Sequence, residues 1–192
     1  MKAIAFVLAM AVGVAVSAAS ATAQISKSVI TGAAPFSLGM APADALNADP
    51  SLKPVATATC GGPAPVAAYT THVTAGIGGY PYVANVLLCF SAGKLGAIYL
   101  HWPQGTFQED TARWLLATHA LASQIAVSYA PALVRRLAVD DDMGAVIELG
   151  DAQGNILQAV SVPGDDPEIA VTYFSADYDQ ATNGKRTSIT SY

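Results

Sequence analysis

Two β-rich runs, Tyr82 to Phe90 and Lys94 to Trp102, stand only three residues apart, and those three are Ser91-Ala92-Gly93. Aromatic and β-branched side chains suit a pleated, half-buried surface. A link this short joins only antiparallel neighbours, since a parallel crossover needs a dozen residues or more. The chain is therefore committed to a hairpin and to an antiparallel sheet that grows from it. Ala145 to Leu149 and Ile156 to Val162 repeat the pattern around Asp151-Ala152-Gln153-Gly154-Asn155, which is turn chemistry. Ile169 to Phe174 supplies a last strand after Pro163-Gly164-Asp165-Asp166-Pro167, and Val66 to Thr74 an earlier one before a loop at Gly76 to Pro81.

Between the two hairpins the period changes from two to 3.6. Trp114, Leu115, Leu121, Ala122 and Ile125 recur at helical spacings, giving an apolar stripe on a helix over about 107–127. Thr106 with Glu109 has the capping-box spacing that starts a helix by satisfying its first free N–H groups. Pro42 to Leu46 reads as a short helix with proline in its first turn. Strands in hairpins with one long helix between them predict an α+β domain, in which the helix covers one face of the sheet.

Met1-Lys2, the apolar run Ile4 to Val16 and the small residues ending Ala21-Thr22-Ala23 have the order of a secretory signal, so residues 1–23 are expected to be removed. The apolar run is about 13 residues, short of the roughly 20 that span a bilayer. The rest of the chain reads as a single domain over residues 24–176, with a polar tail at 177–192. Export makes the expected location periplasmic or secreted, without a membrane anchor. It also gives meaning to the two cysteines, Cys60 and Cys89, which are expected to form a disulfide.

Nine Lys and Arg stand against fourteen Asp and Glu, a net charge of −5. Phosphate-rich partners are disfavoured by that balance, and no basic stripe offsets it, so nucleic acid is not expected as a partner. Ser91-Ala92-Gly93-Lys94 has the S-x-x-K spacing of serine acyl-enzymes, but it falls in a hairpin turn rather than at the start of a helix. The three histidines, His72, His101 and His119, are too scattered to read as a metal site. The run Asp140-Asp141-Asp142, and Asp151 with Asn155, offer oxygens to calcium without the EF-hand spacing. No catalytic residue, metal or cofactor is assigned.

Pro35-Phe36-Ser37-Leu38-Gly39-Met40 followed by Pro42 to Leu46, Phe90-Ser91-Ala92-Gly93-Lys94-Leu95, and Val171-Thr172-Tyr173-Phe174 together resemble an opening, a hairpin and a closing strand. These are similar to those of small exported bacterial αβ domains of the β-lactamase-inhibitor-protein and SmpA/OmlA types. The resemblance covers most of residues 24–176. It departs at Ser128-Tyr129-Ala130-Pro131, where such domains often carry Tyr-Gly, and the lipidated cysteine of the assembly lipoproteins is missing. It implies a non-catalytic protein-binding module with a helix on a sheet.

The functional expectation is an exported protein-interaction module of the bacterial envelope or secreted fraction. The alternative is a periplasmic hydrolase or small-ligand-binding protein whose site is assembled from distant residues. The partner would be another protein, met by the sheet face opposite the helix. Tyr99, His101, Trp102 and Tyr173 are the candidate contact residues, because tyrosine and tryptophan bury large areas at low entropic cost.

Overall fold

The computed structural model describes residues 29–60, 67–77, 80–107, 110–129, 133–140, 144–162 and 167–182. Residues 1–28, which include the segment read as a secretory signal, the acidic residues Asp141 and Asp142, and the tail beyond 182 lie outside the described residues.

The chain runs α1 (Pro42–Ala48), β1 (Lys53–Val55), β2 (Ala67–Ile77), β3 (Tyr80–Ser91), β4 (Lys94–Trp102), α2 (Thr111–Ser128), β5 (Leu133–Asp140), β6 (Gly144–Gly150), β7 (Ile156–Val162), β8 (Glu168–Phe174) and α3 (Ala176–Ala181). All eight strands form one antiparallel sheet in the order β1-β2-β3-β4-β8-β7-β6-β5. Each half of the chain is thus a helix followed by a four-stranded meander, and the halves meet where β4 pairs with β8. The fold is α+β, as the hairpin and helix patterns predict.

The hairpin that anchors the sequence reading closes with Ser91 opposite Lys94. Its two central residues, Ala92 and Gly93, both have positive φ, at 50° and 76°. That is the backbone of the two-residue turn whose twist matches the strands it joins. The register then shifts, Phe90 facing Leu95 and Cys89 facing Ala97, so that Gly96 has no partner on β3. A Cβ at Gly96 would lie 2.4 Å from Cδ2 of Tyr178, so the ring of α3 seats there only because the residue is glycine.

Period-2 alternation sorts the sheet into two layers. The front layer carries Val86, Leu88, Ile98, Leu100, Trp102, Ile169 and Val171, and it is covered by Trp114, Ala117 and Ile125 of α2 with Phe36 and Ala45 of the N-terminal segment. The back layer carries Leu87, Cys89, Ala97, Tyr99, Ala170 and Phe174, and it is covered by Cys60 and Tyr178. Cys60 and Cys89 are bonded as expected, and the Tyr178 hydroxyl donates to the Cys60 carbonyl at 2.8 Å.

Several boundaries differ from the sequence reading. Helix α2 begins at Thr111 rather than 107, because Asp110 caps it: its carboxylate accepts from the N–H groups of Ala112 and Arg113. The Thr106 box gives way to a 3-10 turn over Gln104–Phe107, which buries Phe107. Leu115 leaves the stripe, being 48% exposed, and Ala117 takes its place against the sheet. The loop at Gly76 to Pro81 is largely strand, since Ile77 is drawn into the core and Tyr80 pairs with it. The tail begins as α3, capped by the Ser175 hydroxyl and pinned by buried Tyr178. Strand β5 has no counterpart in the sequence reading; its pairing with β6 is irregular between Val134 and Arg136.

Candidate functional site

Strand β4 holds three of the four candidate contact residues, and alternation divides them. Tyr99 and His101 point to the back layer, whereas Trp102 points to the front. All three are buried, with 2%, 5% and 2% of their surface exposed. Tyr99 meets Phe174 edge-on at 5.8 Å between centroids. Tyr173, on β8, faces the front, opposite Ile98 and Leu157, and is half-buried. Burial raises the pKa of its phenol, and repulsion by the Tyr129 hydroxyl and a hydrogen bond with it raise it further. A docking surface needs side chains that a partner can reach, so Tyr99, His101 and Trp102 serve the packing of the sheet instead. The structure does not bring the four together as one surface.

The back layer nevertheless collects polar chemistry along one row. His72 Nδ1 lies 2.9 Å from Asn85 Oδ1, Asn85 pairs with His101, and His101 Nε2 lies 2.8 Å from Glu168 Oε2. A carboxylate on one imidazole nitrogen is how general bases are oriented, leaving the other nitrogen for a proton. Here the other nitrogen, Nδ1 of His101, is buried without a partner among the described residues, as is Oγ1 of Thr172 on the neighbouring strand. Thr172 is fully buried. A reactant cannot touch either atom, whereas His72 at one end of the row is exposed and Glu168 at the other is half-buried.

Asp151 and Asn155 do come together, the Asn155 amide donating to Asp151 Oδ2 at 3.1 Å. Their oxygens are already spent. Asp151 accepts from the backbone N–H groups of Gln153, Asn155 and Ile30, and Asn155 Oδ1 accepts from Ala176. The pair ties the β6–β7 turn to the N-terminal segment and to α3 rather than forming a cation cage. No group of three His, Cys, Asp or Glu side chains that could hold a metal occurs among the described residues. Nor is any described helix long and apolar enough to cross a membrane.

Among the described residues, large apolar side chains are exposed singly at Val29, Leu46 and Val83, and three more lie on α2. Leu115, Leu116 and Val127 are 48%, 67% and 82% exposed. At 100° per residue they fall on one side of the helix with Ala112, His119, Ser123 and Ala126, all exposed as well. Such a helix usually turns charged residues outward. Between Thr111 and Ser128 the only charged side chain is Arg113, and it reaches back to Asp110 at 3.3 Å. Sequence reasoning passes over this face because three consecutive apolar residues, Trp114 to Leu116, cannot all face the sheet, and a stripe that includes Leu115 hides it. The signal is the scarcity of charge along the whole helix. No protein-family model, no curated protein and no solved structure matches the chain, and its function is therefore read from this geometry.

Proposed function

We propose that the protein is an exported, non-catalytic interaction module that acts in the periplasm or outside the cell and docks a partner protein through the outer face of α2. One observation carries this reading: Leu115, Leu116 and Val127 hold aliphatic surface in water on a helix whose one charged side chain, Arg113, is paired with Asp110. Exposed apolar surface gathered on one face favours contact with a partner, because its burial supplies the driving force for association. The disulfide supports an oxidising compartment, and the resemblance to exported helix-on-sheet binding domains points the same way. The burial of the His101 imidazole, whose Nδ1 is closed off from solvent, supports a role without turnover.

The test is to make Leu116→Glu and Val127→Glu singly and to measure both Tm and capture of a partner by crosslinking in the native compartment. Both variants should melt as the parent does, since neither position is buried, and both should lose the crosslinked species. Undiminished crosslinking by both variants would end the proposal, and so would a large loss of Tm, which would make the face part of the core.

A further inference from the structure

At the end of the sheet where the β3–β4 hairpin turns, three other pieces of chain converge on it: the segment at Leu38 and Gly39, the β6–β7 turn, and the start of α3. Between them lies a cavity of about 450 Å³. Small-molecule sites run from roughly 300 to 1,000 Å³. Its walls are fixed by hydrogen bonds that span the pieces. Gly39 N–H donates to the Leu95 carbonyl and Leu95 N–H to that of Met40, both at 2.8 Å. Ser175 N–H donates to the Gly96 carbonyl at 2.8 Å, and the Asn155 side chain bridges Ile30 and Ala176. The cavity is preformed, so a ligand would not have to order it first.

The polar groups on its walls divide into spent and unspent. Asn155 and Ser175 are spent, in the bridge and in capping α3. Lys94 and Asp177 are not: both line the cavity, both are exposed, and neither has a hydrogen-bond or ion-pair partner among the described residues. Ser91 and Gln153 lie on the same walls, the Gln153 Oε1 accepting from the Asn155 amide at 3.4 Å. An ammonium and a carboxylate that share one concave site yet do not neutralise each other form a complementary template. The matching ligand carries a carboxylate for Lys94 and an ammonium for Asp177, with further polar atoms that Ser91 and the Gln153 amide can meet. We propose that this cavity binds the two termini of a short zwitterionic peptide of dipeptide size. The reading is independent of the α2 face, which lies on a different part of the molecule and involves none of these residues.

The experiment is an amide NMR titration of the folded, disulfide-bonded protein with L-alanyl-L-alanine, its N-acetyl derivative and its C-terminal amide. The dipeptide should shift the amides of Gly39, Lys94, Gly96 and Asp177 in a saturable way, and each blocked derivative should bind roughly ten-fold more weakly, about 1.4 kcal/mol. Lys94→Gln should weaken the dipeptide and leave the amide derivative unchanged, while Asp177→Asn should weaken the dipeptide and leave the acetyl derivative unchanged. Both side chains are exposed, so Tm should not move in either variant. The absence of saturable shifts up to about 10 mM would overturn the proposal, as would equal binding of all three probes or equal weakening of all three by either variant.

Discussion

The two faces of this sheet solve the same problem differently. The front face is sealed by a broad apolar layer, with α2 and the N-terminal segment laid over aliphatic and aromatic residues from several strands. Among the described residues the back face is covered by a smaller set, Cys60, Val55 and Tyr178 of the short helix α3, held down by the bond to Cys89 and by the Tyr178 hydroxyl. Beyond that cover its residues turn polar, as the row from His72 to Glu168 shows. A large cover holds by area, while a small one needs a covalent anchor and specific hydrogen bonds. The difference can be tested at single residues.

The largest effect is expected on the front. Trp114→Ala removes a buried ring and its hydrogen bond from Nε1 to the Glu168 carbonyl, and should cost about 3–5 kcal/mol in chemical denaturation. A change under about 1 kcal/mol would mean that the helix is held by something other than this ring. Next comes the back: Cys60→Ala with Cys89→Ala opens a link between residues 29 apart and should cost about 3–4 kcal/mol in the chain-entropy account. If the double variant melts like the parent, the covalent anchor is dispensable and the contrast between the faces fails.

The smallest effect concerns pH at the edge of the front face. The hydroxyl of Ser51, together with its N–H and the Thr71 hydroxyl, holds the Asp49 carboxyl below the usual carboxylate range, against a smaller opposing effect of burial. A depressed value in the folded state means that the ionised form favours folding. The contribution is present above the unfolded pKa and fades as pH falls through the folded one. Asp49→Asn should therefore lower Tm slightly at neutral pH, and the gap should close in acid. A gap that widens in acid would reverse the assigned sign.

Much of this architecture is legible from period and turn chemistry. The β3–β4 hairpin, the β6–β7 hairpin, β8 and the existence of α2 all carry unbroken local patterns. Strand β5 does not, because adjacent Arg135 and Arg136 interrupt its alternation, and the ladder is irregular between Val134 and Arg136. The start of α2 is easily misread because Thr106 and Glu109 match one capping pattern while Asp110, four residues after Thr106, supplies another. The site is less legible than the fold. Alternation places Tyr99 and Trp102 on opposite faces but does not say that both faces are covered there, since the cover over Tyr99 comes from Cys60 and Tyr178, far away in sequence. The end cavity unites residues from 38 to 178, a separation no local pattern spans.

The strand order has a consequence for how the molecule comes into being. Each meander can zip up from neighbouring hairpins, where closing short loops is fast. The seam between β4 and β8 is another matter, since Ala97 must find Phe174 and Trp102 must find Ile169. Until the final strand has emerged, β4 is a nine-residue edge, almost wholly apolar, with its row of N–H and C=O groups unpaired. Such an edge is a template for the wrong strand, whether from the same chain or another. Strand β8 is thus the one that removes the aggregation hazard created by the first half. A chain ending before Glu168 would have a four-stranded and a three-stranded meander and no strand to join them across the open edge of β4.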